Sequence, residues 1–480
     1  MNNETVWQLR IENYPELTED IERETVVIGG GLAGFLTAFR LWEEGKQVTL
    51  IEADRLFSGT TSKTTGKISC NQETVYYDLY KKYGKLTAEK YYLSQKNAQN
   101  DYLKLIKKYK IKCDLVKADS YIFTYGNEEK LKGNYKLLSG FGADCEWIEG
   151  LPAVDASYAL KMNGEYMFDV LKFVSGLPKN FEIYENTRAV EIDCKQNIVL
   201  CDKAKIKAKN IVIATHYPII NVHGGYIFKL RQSEAYLIAS SAGLVEDMYL
   251  DECKNGLTLR PYYGGTIIGG GDHRTGRGAD VDKFSYIKKT AEKFFNLGTV
   301  TNFWSAEDIM TADGMPMAGK YWKGSSGIYV ITGFNKWGMT NSLACAKVIC
   351  DMILGRDNEN IALFAPDRKI KEAFSDYVKN LTTTAKNVVL GYSRITFKST
   401  KSIPLDSGKV VRFKGKKRAV YKDEKGKLHV IGSMCPHMHG ELKWNKNGRC
   451  WECPCHGSRF DIHGNIISEP TTKSCKNFKF

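Results

Sequence analysis

The segment that most constrains the fold is a glycine-rich turn near the N-terminus, between two strand-like runs. ETVVI at 24–28 is a short β-branched run, GGGLAG follows at 29–34, and QVTLIE at 47–52 is a second apolar run. Between the two runs, apolar residues recur at helical spacing as far as Gly45, which predicts a helix. Strand, helix and strand in this order form a βαβ unit, so the chain is expected to build a parallel sheet covered by helices.

The glycines of this turn predict a dinucleotide site. Gly29 allows the tight turn, Gly31 lets a pyrophosphate approach the backbone, and Gly34 lets the helix pack closely on the strand. The phosphates would lie over the N-terminus of the helix, where free N–H groups and the helix dipole favour negative charge. Glu52, at the end of the second strand, would accept hydrogen bonds from ribose hydroxyls. The residues predicted for this site are Gly29, Gly31, Leu32, Ala33, Gly34 and Glu52.

The chain offers only one such fingerprint. GTIIGGGDH at 265–273 also has glycines after a strand-like run, but no amphipathic helix follows it. An enzyme that reduces a flavin with NAD(P)H normally needs two dinucleotide sites. A single site, together with a redox cluster on the same chain, favours bound FAD that takes hydride directly from a substrate.

The redox cluster is predicted from the last forty-six residues of the chain. Cys435-Pro-His437 is followed by Cys453-Pro-Cys-His456-Gly-Ser, which places one cysteine and one histidine on each of two loops. This set resembles the Rieske [2Fe–2S] centre, in which one iron takes two thiolates and the other takes two imidazoles. The competing interpretation is structural zinc, but zinc fingers usually pair like ligands at short spacing, which this tail does not.

The tail departs from many Rieske domains in two ways. Those domains carry a disulfide from the cysteine inside CPCH to a partner three residues after the first histidine, and here that partner position is Gly440. Cys455 is therefore expected to be a free thiol. Ser458 matches the hydroxyl that bonds a bridging sulfide in Rieske proteins, whereas Phe460 occupies a position often held by tyrosine. Fewer hydrogen bonds to sulfur predict a potential low in the Rieske range of roughly −150 to +300 mV.

The rest of the chain resembles the FAD-dependent oxidoreductases of the D-amino-acid oxidase and glycine oxidase superfamily, and more closely a bacterial branch that fuses this flavoprotein to a C-terminal Rieske domain. Besides the N-terminal fingerprint, the motifs that carry this resemblance are SGTTSKTTGK at 58–67, IVIATH at 211–216, WSAEDIMTADGMPMAG at 304–319 and TGFNKWGMT at 332–340.

The resemblance implies further cofactor contacts. Residues from Ser58 to Thr65 would lie against the pyrophosphate and the flavin, and a later glycine-bearing loop would border the isoalloxazine ring. Thr340 or Asn341 could cap a helix whose N-terminus stabilises negative charge on the reduced flavin. The residues implied are Ser58, Thr60, Thr61, Thr64 and Thr65 from the first segment, and Gly333, Asn335, Lys336, Trp337, Gly338 and Met339 from the second.

The expected fold is a Rossmann-like α/β FAD-binding domain interleaved with an α+β substrate domain, followed by a small all-β Rieske domain. The oxidoreductase would span 1–380, with a linker at 381–395 and the Rieske domain at 396–480. FAD-binding parts are expected at about 22–75, 185–220 and 305–358, and substrate-domain parts at about 76–184 and 221–304. Turns in the Rieske domain are predicted at Ser407-Gly408, Lys414-Gly415, Glu424-Lys425-Gly426 and Asn447-Gly448.

Charge and composition limit the partners. The formal net charge is +14, and the densest basic stretch, 401–427, has ten Lys or Arg against three acids. It has few aromatics and belongs to no nucleic-acid motif, so we interpret it as a solvated surface whose charge suits docking of an acidic electron carrier. No apolar run is long enough for a membrane span and no export signal is recognisable, so the expected location is cytoplasmic.

The favoured function is therefore an FAD-dependent dehydrogenase. The resemblance implies an amine or amino acid as substrate, with electrons leaving singly through the cluster to an external acceptor. Arg260 is the candidate for a substrate carboxylate, and Tyr262, Tyr263 or His273 for orienting the substrate. Two alternatives stay open. One is an electron-transfer module without its own substrate, and the other is a Rieske oxygenase, which needs a mononuclear iron held by two histidines and a carboxylate.

Overall fold

The structure is a computed structural model that describes residues 4–8, 12–126, 128–219, 223–253, 256–278, 281–368, 378, 382, 384–387 and 399–478. Its strands, numbered in chain order, are β1 Ile21–Ile28, β2 Val48–Ile51, β3 Lys67–Ile68, β4 Val116–Thr124, β5 Cys145–Leu151, β6 Ala156–Met167, β7 Glu182–Tyr184, β8 Ala189–Asp193, β9 Ile198–Cys201, β10 Lys205–Ile213, β11 Leu230–Ser240, β12 Met248–Asp251, β13 Thr258–Tyr262, β14 Gly265–Arg274, β15 Val300–Thr311, β16 Met317–Lys320, β17 Ile328–Thr332, β18 Ser407–Phe413, β19 Lys416–Lys422, β20 Leu428–Gly432, β21 Lys443–Asn445, β22 Cys450–Glu452, β23 Arg459–Phe460, β24 Ile466–Ser468 and β25 Asn477–Phe478.

The helices in the same part of the chain are α1 Leu32–Glu43, α2 Val75–Tyr83, α3 Lys85–Lys108, α4 Glu129–Gly140, α5 Val170–Ser175, α6 Tyr226–Lys229, α7 Lys283–Ala291, α8 Gly338–Leu354 and α9 Asn360–Phe364. Short 3₁₀ turns lie at Thr60–Lys63, Pro152–Val154 and Thr400–Ser402. Among the described residues, no helix has the length and apolar character needed to cross a membrane.

The first sheet is the predicted parallel one. Its order is β16-β17-β10-β1-β2-β7, with β8 and β9 attached to β10. The strands β1, β2, β10 and β17 run parallel, and β1 at the centre buries Val26 and Val27 completely. The segments 210–218 and 327–340, which carry two of the motifs named above, contribute to β10 and β17 of this sheet. Helix α8 ends at Leu354, and Gly355 follows in the left-handed region at φ +68°, as is common after a helix C-terminus.

The second sheet is built largely from the intervening segments. Its order is β15-β11-β14-β13-β12-β4-β6-β3, with β5 on β6, and the long strands β11, β14 and β15 are antiparallel neighbours. The expected segment bounds need correction at two strands. β3 belongs to this sheet although it was assigned to an FAD-binding part, and β7 belongs to the first sheet although it was assigned to a substrate part.

The C-terminal domain consists of two small antiparallel sheets, β18-β19-β20-β25 and β21-β22-β23-β24. Three of the predicted turns lie between consecutive strands, but the turn at Ser407-Gly408 is wrong. Both residues are paired in β18, where Gly408 packs so closely on Trp444 that a Cβ would lie 2.5 Å from its ring. The linker expected at 381–395 lies outside the described residues except for 382 and 384–387.

Candidate functional site

A cavity of about 1030 Å³ lies between the two large sheets. It collects the carboxyl ends of the parallel strands β1, β2, β10 and β17, which is where open α/β sheets bind their ligands. Of the residues expected to bind the cofactor, all but Gly34 and Asn335 line this cavity. The side-chain amide of Asn335 instead bonds Thr311 and the carbonyl of Gly333, so it shapes the loop rather than the cavity wall.

The glycine-rich turn has the backbone that the sequence predicts. Gly29 has φ +108°, and a Cβ there would lie 2.5 Å from the carbonyl oxygen of Ala214. A Cβ on Gly34 would lie 2.0 Å from the carbonyl oxygen of Gly29. Only glycine therefore allows α1 to pack this closely on the strand. Gly31 faces the cavity, and Leu32 opens α1 with its N–H donated to the Thr61 hydroxyl at 2.9 Å.

Glu52 directly follows β2 and lines the cavity. Its carboxylate accepts the backbone N–H of Gly30 at 2.6 Å and that of Asp54 at 3.0 Å. Burial raises the pKa of Glu52 even though these backbone donors oppose the shift. Each oxygen keeps a further lone pair, so the side chain is held ready to accept from a ribose. The glycine turn, the start of α1 and Glu52 together fit a dinucleotide.

The loop after β17 forms the other end of the cavity wall. Asn335 and Lys336 both have positive φ, at +51° and +72°, which turns the chain sharply into α8. The predicted cap is wrong, because α8 begins at Gly338 and has no side-chain cap. Thr340 and Asn341 lie inside its first turn, where they bond Gln72 at 3.0 Å and Gln95 at 2.9 Å.

The charged residues of the cavity wall beside this loop were not predicted as substrate contacts. Lys336 forms an ion pair with Asp272 at 2.9 Å, and Asp308 and Glu73 also line the cavity. Burial raises the pKa of Asp308 to about 6. Lys67 lines the cavity too, and burial lowers its pKa to about 7. This part of the wall can bind both an ammonium and a carboxylate group.

The role expected for Arg260 is wrong in this structure. Its side chain lies outside the cavity lining, is buried, and donates to the backbone carbonyls of Pro261 at 2.8 Å, Thr65 at 2.5 Å and Gly66 at 3.2 Å. These bonds hold the segment at 65–66 against β13, so Arg260 supports the wall from behind. The other candidates, Tyr262, Tyr263 and His273, also lie outside the cavity lining.

The two loops of the C-terminal tail form matching turns. In the first cluster loop, 435–440, the Cys435 N–H donates to the Gly440 carbonyl at 2.9 Å and the His439 N–H donates to the Cys435 carbonyl at 2.9 Å. In the second cluster loop, 453–458, the Cys453 N–H donates to the Ser458 carbonyl at 2.9 Å. The two turns face each other and bring their cysteines and histidines together.

The expected ligands fall into two like pairs. The thiols of Cys435 and Cys453 are within hydrogen-bonding reach of each other, and the rings of His437 and His456 have centroids 5.1 Å apart. In the described residues, no three donor atoms from this set lie within 4.8 Å of one another, as a single tetrahedral zinc would require. A thiol pair beside an imidazole pair fits a cluster with two irons.

The protonation state of the two histidines also fits a metal centre. Burial lowers the pKa of His437 to about 4 and that of His456 to about 3. Both imidazoles are therefore neutral near pH 7, which is the form that binds a metal. Both ring nitrogens of His456 are buried, and no other described residue offers them a hydrogen bond. A buried polar group of this kind normally has a partner, and iron would supply it.

No disulfide joins the two loops in this structure, and Cys455 has no disulfide partner. A Cβ built on Gly440 would lie 2.6 Å from Sγ of Cys455, so Gly440 lies directly opposite this thiol. Ser458 is fully buried and its hydroxyl bonds the Cys435 thiol. Phe460 is fully buried in the same core and brings no hydroxyl.

The second cluster loop is covered by the oxidoreductase domain almost residue by residue. Every residue from 451 to 460 is buried. Gly276 packs on the loop so tightly that a Cβ there would lie 2.5 Å from Cα of Pro454, and a Cβ on Gly457 would lie 2.2 Å from Oε1 of Gln232. Between these contacts, Arg274 donates to the Cys455 carbonyl at 3.1 Å and the ring of Tyr217 lies 6.4 Å from that of His456.

A buried ionic network fastens the two domains just beyond this loop. Arg459 forms ion pairs with Glu307 at 2.6 Å, Glu234 at 3.1 Å and Glu452 at 3.4 Å. Asn445 donates to both Glu234 and Glu452. Burial raises the pKa of Glu452 to about 8, which lowers the excess of negative charge around the guanidinium.

This network also bears on the oxygenase alternative. In the described part of the chain, one group of three metal-binding side chains has donor atoms within 4.8 Å of one another, namely Glu234, His273 and Glu452. The Arg459 guanidinium pairs with both of these carboxylates, so a positive charge is already supplied there. The group also has one histidine instead of the two that an oxygenase iron needs.

Comparison with known proteins agrees with both halves of the chain. Residues 24–352 match the family described as FAD dependent oxidoreductase (DAO), and residues 394–479 match the Rieske [2Fe-2S] domain. The chain therefore belongs to the DAO family of FAD-dependent oxidoreductases and carries a C-terminal Rieske domain. Its cofactors are FAD and a [2Fe–2S] cluster. A putative Rieske 2Fe-2S iron-sulfur protein, YhfW, from Bacillus subtilis is 28% identical over 98% of this chain and 97% of its own length.

Solved structures show the same fold for the oxidoreductase part. Glycine oxidase from Geobacillus kaustophilus aligns with a TM-score of 0.61 at 17% identity, over 73% of this chain and 99% of that enzyme. L-proline dehydrogenase from P. horikoshii aligns with a TM-score of 0.59 at 19% identity, over 73% of this chain and 97% of that enzyme. The expected fold class is confirmed.

Proposed function

We propose that the protein is a dehydrogenase of an amine or amino acid that passes electrons singly, through its Rieske cluster, to an external carrier. Bound FAD would supply the hydride acceptor, and the cluster, held by Cys435, His437, Cys453 and His456, would supply a one-electron outlet. Support comes from the docking of the second cluster loop directly on the domain that holds the flavin cavity, which leaves a short path between the two sites.

The charged cavity wall supports the substrate class. Asp308, with Asp272 and Glu73 nearby, would bind a substrate ammonium, while Lys336 and Lys67 would bind a carboxylate. Glycine and proline, named in the two structural neighbours, carry both groups. The residues of this chain would bind and orient the substrate within the cavity.

The acceptor is proposed to be an acidic carrier protein. His437 and Met438 are partly exposed, and His439 is exposed, so the first cluster loop offers an approach from solvent. The basic stretch 401–427, which includes β18, β19 and the turn that leads into β20, would attract an acidic partner. A cytoplasmic location is proposed as well, because thirteen cysteines without a disulfide are typical of a reducing compartment.

The test is anaerobic mixing of the loaded protein with a panel of amines, amino acids and the matching 2-hydroxy acids. We expect an amine or amino acid to bleach the flavin and the hydroxy acids to leave it oxidised. For that substrate, kcat/KM should fall as the pH drops through about 6, because protonation of Asp308 removes the charge that binds the ammonium. Asp308→Asn should abolish this pH step. Bleaching by hydroxy acids alone would overturn the proposed substrate class.

A further inference from the structure

Tyr217 lies between the flavin cavity and the cluster loops. It follows β10 and is 1% exposed. Its ring meets the His456 ring at 66°, with centroids 6.4 Å apart. Its hydroxyl is buried, and no residue in the described ranges offers it a hydrogen bond. The contact that holds Tyr217 against the Rieske domain is therefore made by the ring and not by the hydroxyl.

The residue before Tyr217 belongs to the cavity wall. His216 lines the cavity together with Ala214 and Thr215. It has φ +62°, an uncommon conformation for a residue other than glycine. Its carbonyl accepts the Thr332 hydroxyl at 2.5 Å. Thr332 ends β17 and leads into the loop that is proposed to border the isoalloxazine ring.

Two consecutive residues thus span the distance from the flavin cavity to a proposed cluster ligand. The turn at His216 places the His216 side chain in the cavity wall and the Tyr217 ring against His456. Since Thr332 fixes the turn from the flavin loop, the position of the Tyr217 ring depends on the same strand ends that shape the flavin site.

We propose that Tyr217 is a positioning residue that couples the two redox sites, holding the His456 imidazole toward the flavin cavity through its aromatic ring. This proposal rests on the proposed function, in which electrons pass from flavin to cluster. In that function the two electrons of the reduced flavin would leave one at a time through the cluster, and a one-electron carrier protein would accept each of them. The protons of the reduced flavin would pass to solvent.

The test is laser-flash photoreduction of the fully loaded chain, with a deazaflavin radical as the electron donor. This donor needs no substrate, so the relay is measured even where no amine reacts. The rate at which electrons redistribute between flavin and cluster is followed by absorbance. Tyr217→Phe should keep the wild-type rate, and Tyr217→Leu should slow it several-fold. The EPR spectrum of the reduced cluster should shift in Tyr217→Leu and not in Tyr217→Phe.

Tyr226→Leu is the matched control, because Tyr226 is equally buried in the same core and bonds the Tyr321 carbonyl instead. It should leave the transfer rate and the EPR spectrum unchanged. A wild-type rate in Tyr217→Leu, an equal slowing in Tyr217→Phe, or an equal slowing in Tyr226→Leu would each overturn the role of the ring. If the wild-type flavin and cluster exchange no electrons at all, the proposed function itself fails.

Discussion

The two cluster loops have the same backbone turns but very different surroundings. In the first loop, His437 is partly exposed and His439 is exposed. In the second loop, every residue is buried, and four side chains or glycines of the oxidoreductase domain contact it in succession. Because both loops would hold the same cluster, the cluster would have an inner side that faces the flavin domain and an outer side that faces solvent.

This asymmetry would give electron transfer through the cluster a direction, from the inner side to the outer side. An electron outlet must be close to its donor on one side and reachable by its acceptor on the other. The inner side is fixed by the buried Arg459 network. On the outer side, the histidines of the first loop are accessible to solvent. A cluster domain that swung on its linker would need neither the close glycine contacts nor a buried guanidinium between the domains.

The largest expected effect is loss of the cluster. Cys453→Ala removes a proposed ligand and should abolish the iron content and the EPR signal, while FAD content is unchanged. Cys455→Ala is the matched control, since this thiol is two residues away in the same buried loop and is not a proposed ligand. Iron analysis and flavin absorbance of both purified variants check this, and an iron-free Cys455→Ala beside a loaded Cys453→Ala would contradict the ligand set.

The next largest effect is expected at the interface between the oxidoreductase domain and the Rieske domain. Arg459→Met leaves buried carboxylates without their partner, which typically costs roughly 3–5 kcal/mol. Arg449, in the same domain, pairs with Asp406 and Glu424 at the surface, and Arg449→Met should cost about 0–1 kcal/mol. Urea unfolding of the loaded chain, followed by the visible circular dichroism of the cluster, measures both. Equal losses would show that the inner side is not fastened by Arg459.

A smaller effect is expected from tying the two loops together. Gly440→Cys places a thiol opposite Cys455 and should form a disulfide under oxidising conditions. Closing this loop should stabilise the domain by about 3 kcal/mol or less. Thiol titration of the unfolded protein before and after reduction detects the bond. If the variant keeps all its thiols free after oxidation, the facing arrangement of Gly440 and Cys455 is wrong.

The smallest expected effect is on the redox potential of the cluster. The wild-type cluster should lie in the lower part of the Rieske range of roughly −150 to +300 mV. Phe460→Tyr should raise the midpoint if its hydroxyl bonds a cysteine sulfur. One hydrogen bond of about 1 kcal/mol corresponds to roughly 40 mV for a one-electron couple. An EPR-monitored redox titration gives both values. A wild-type midpoint near the top of the range would contradict the argument from missing hydrogen bonds.

The structure brings together most of the residues that the sequence predicts for the cofactor sites, because their determinants are local. The glycine turn and the paired CxH and CxxH segments place their residues by spacing within a single strand, helix or loop. Gly29 and Gly34 accordingly have the close backbone contacts expected of them. The disulfide-free loop could be predicted in the same way, because it depends on the identity of one residue, Gly440.

The charged part of the cavity wall, which is proposed to bind the substrate, could not be predicted from the local sequence. Asp272 and Asp308 meet because two antiparallel strands distant in sequence lie side by side with β11, and no motif marks either residue. The sequence predicts that Arg260 binds a substrate carboxylate, because a guanidinium can pair bidentately with one. In the structure four backbone carbonyls, those of Thr65, Gly66, Phe168 and Pro261, bind its guanidinium instead. Thr340 was assigned to a helix cap, whereas Gln72 binds its hydroxyl. In each case a tertiary partner, absent from the local sequence, decides the role.

The most direct test of the account is freeze-quench EPR after anaerobic mixing of the oxidised, fully loaded protein with the substrate that bleaches its flavin. Absorbance follows the flavin in parallel, and Cys453→Ala serves as the cluster-free reference. We predict that the reduced-cluster signal rises in the wild type as electrons leave the flavin, whereas the flavin of Cys453→Ala stays fully reduced. A wild-type flavin that bleaches while the cluster stays oxidised and EPR-silent would contradict the intramolecular relay.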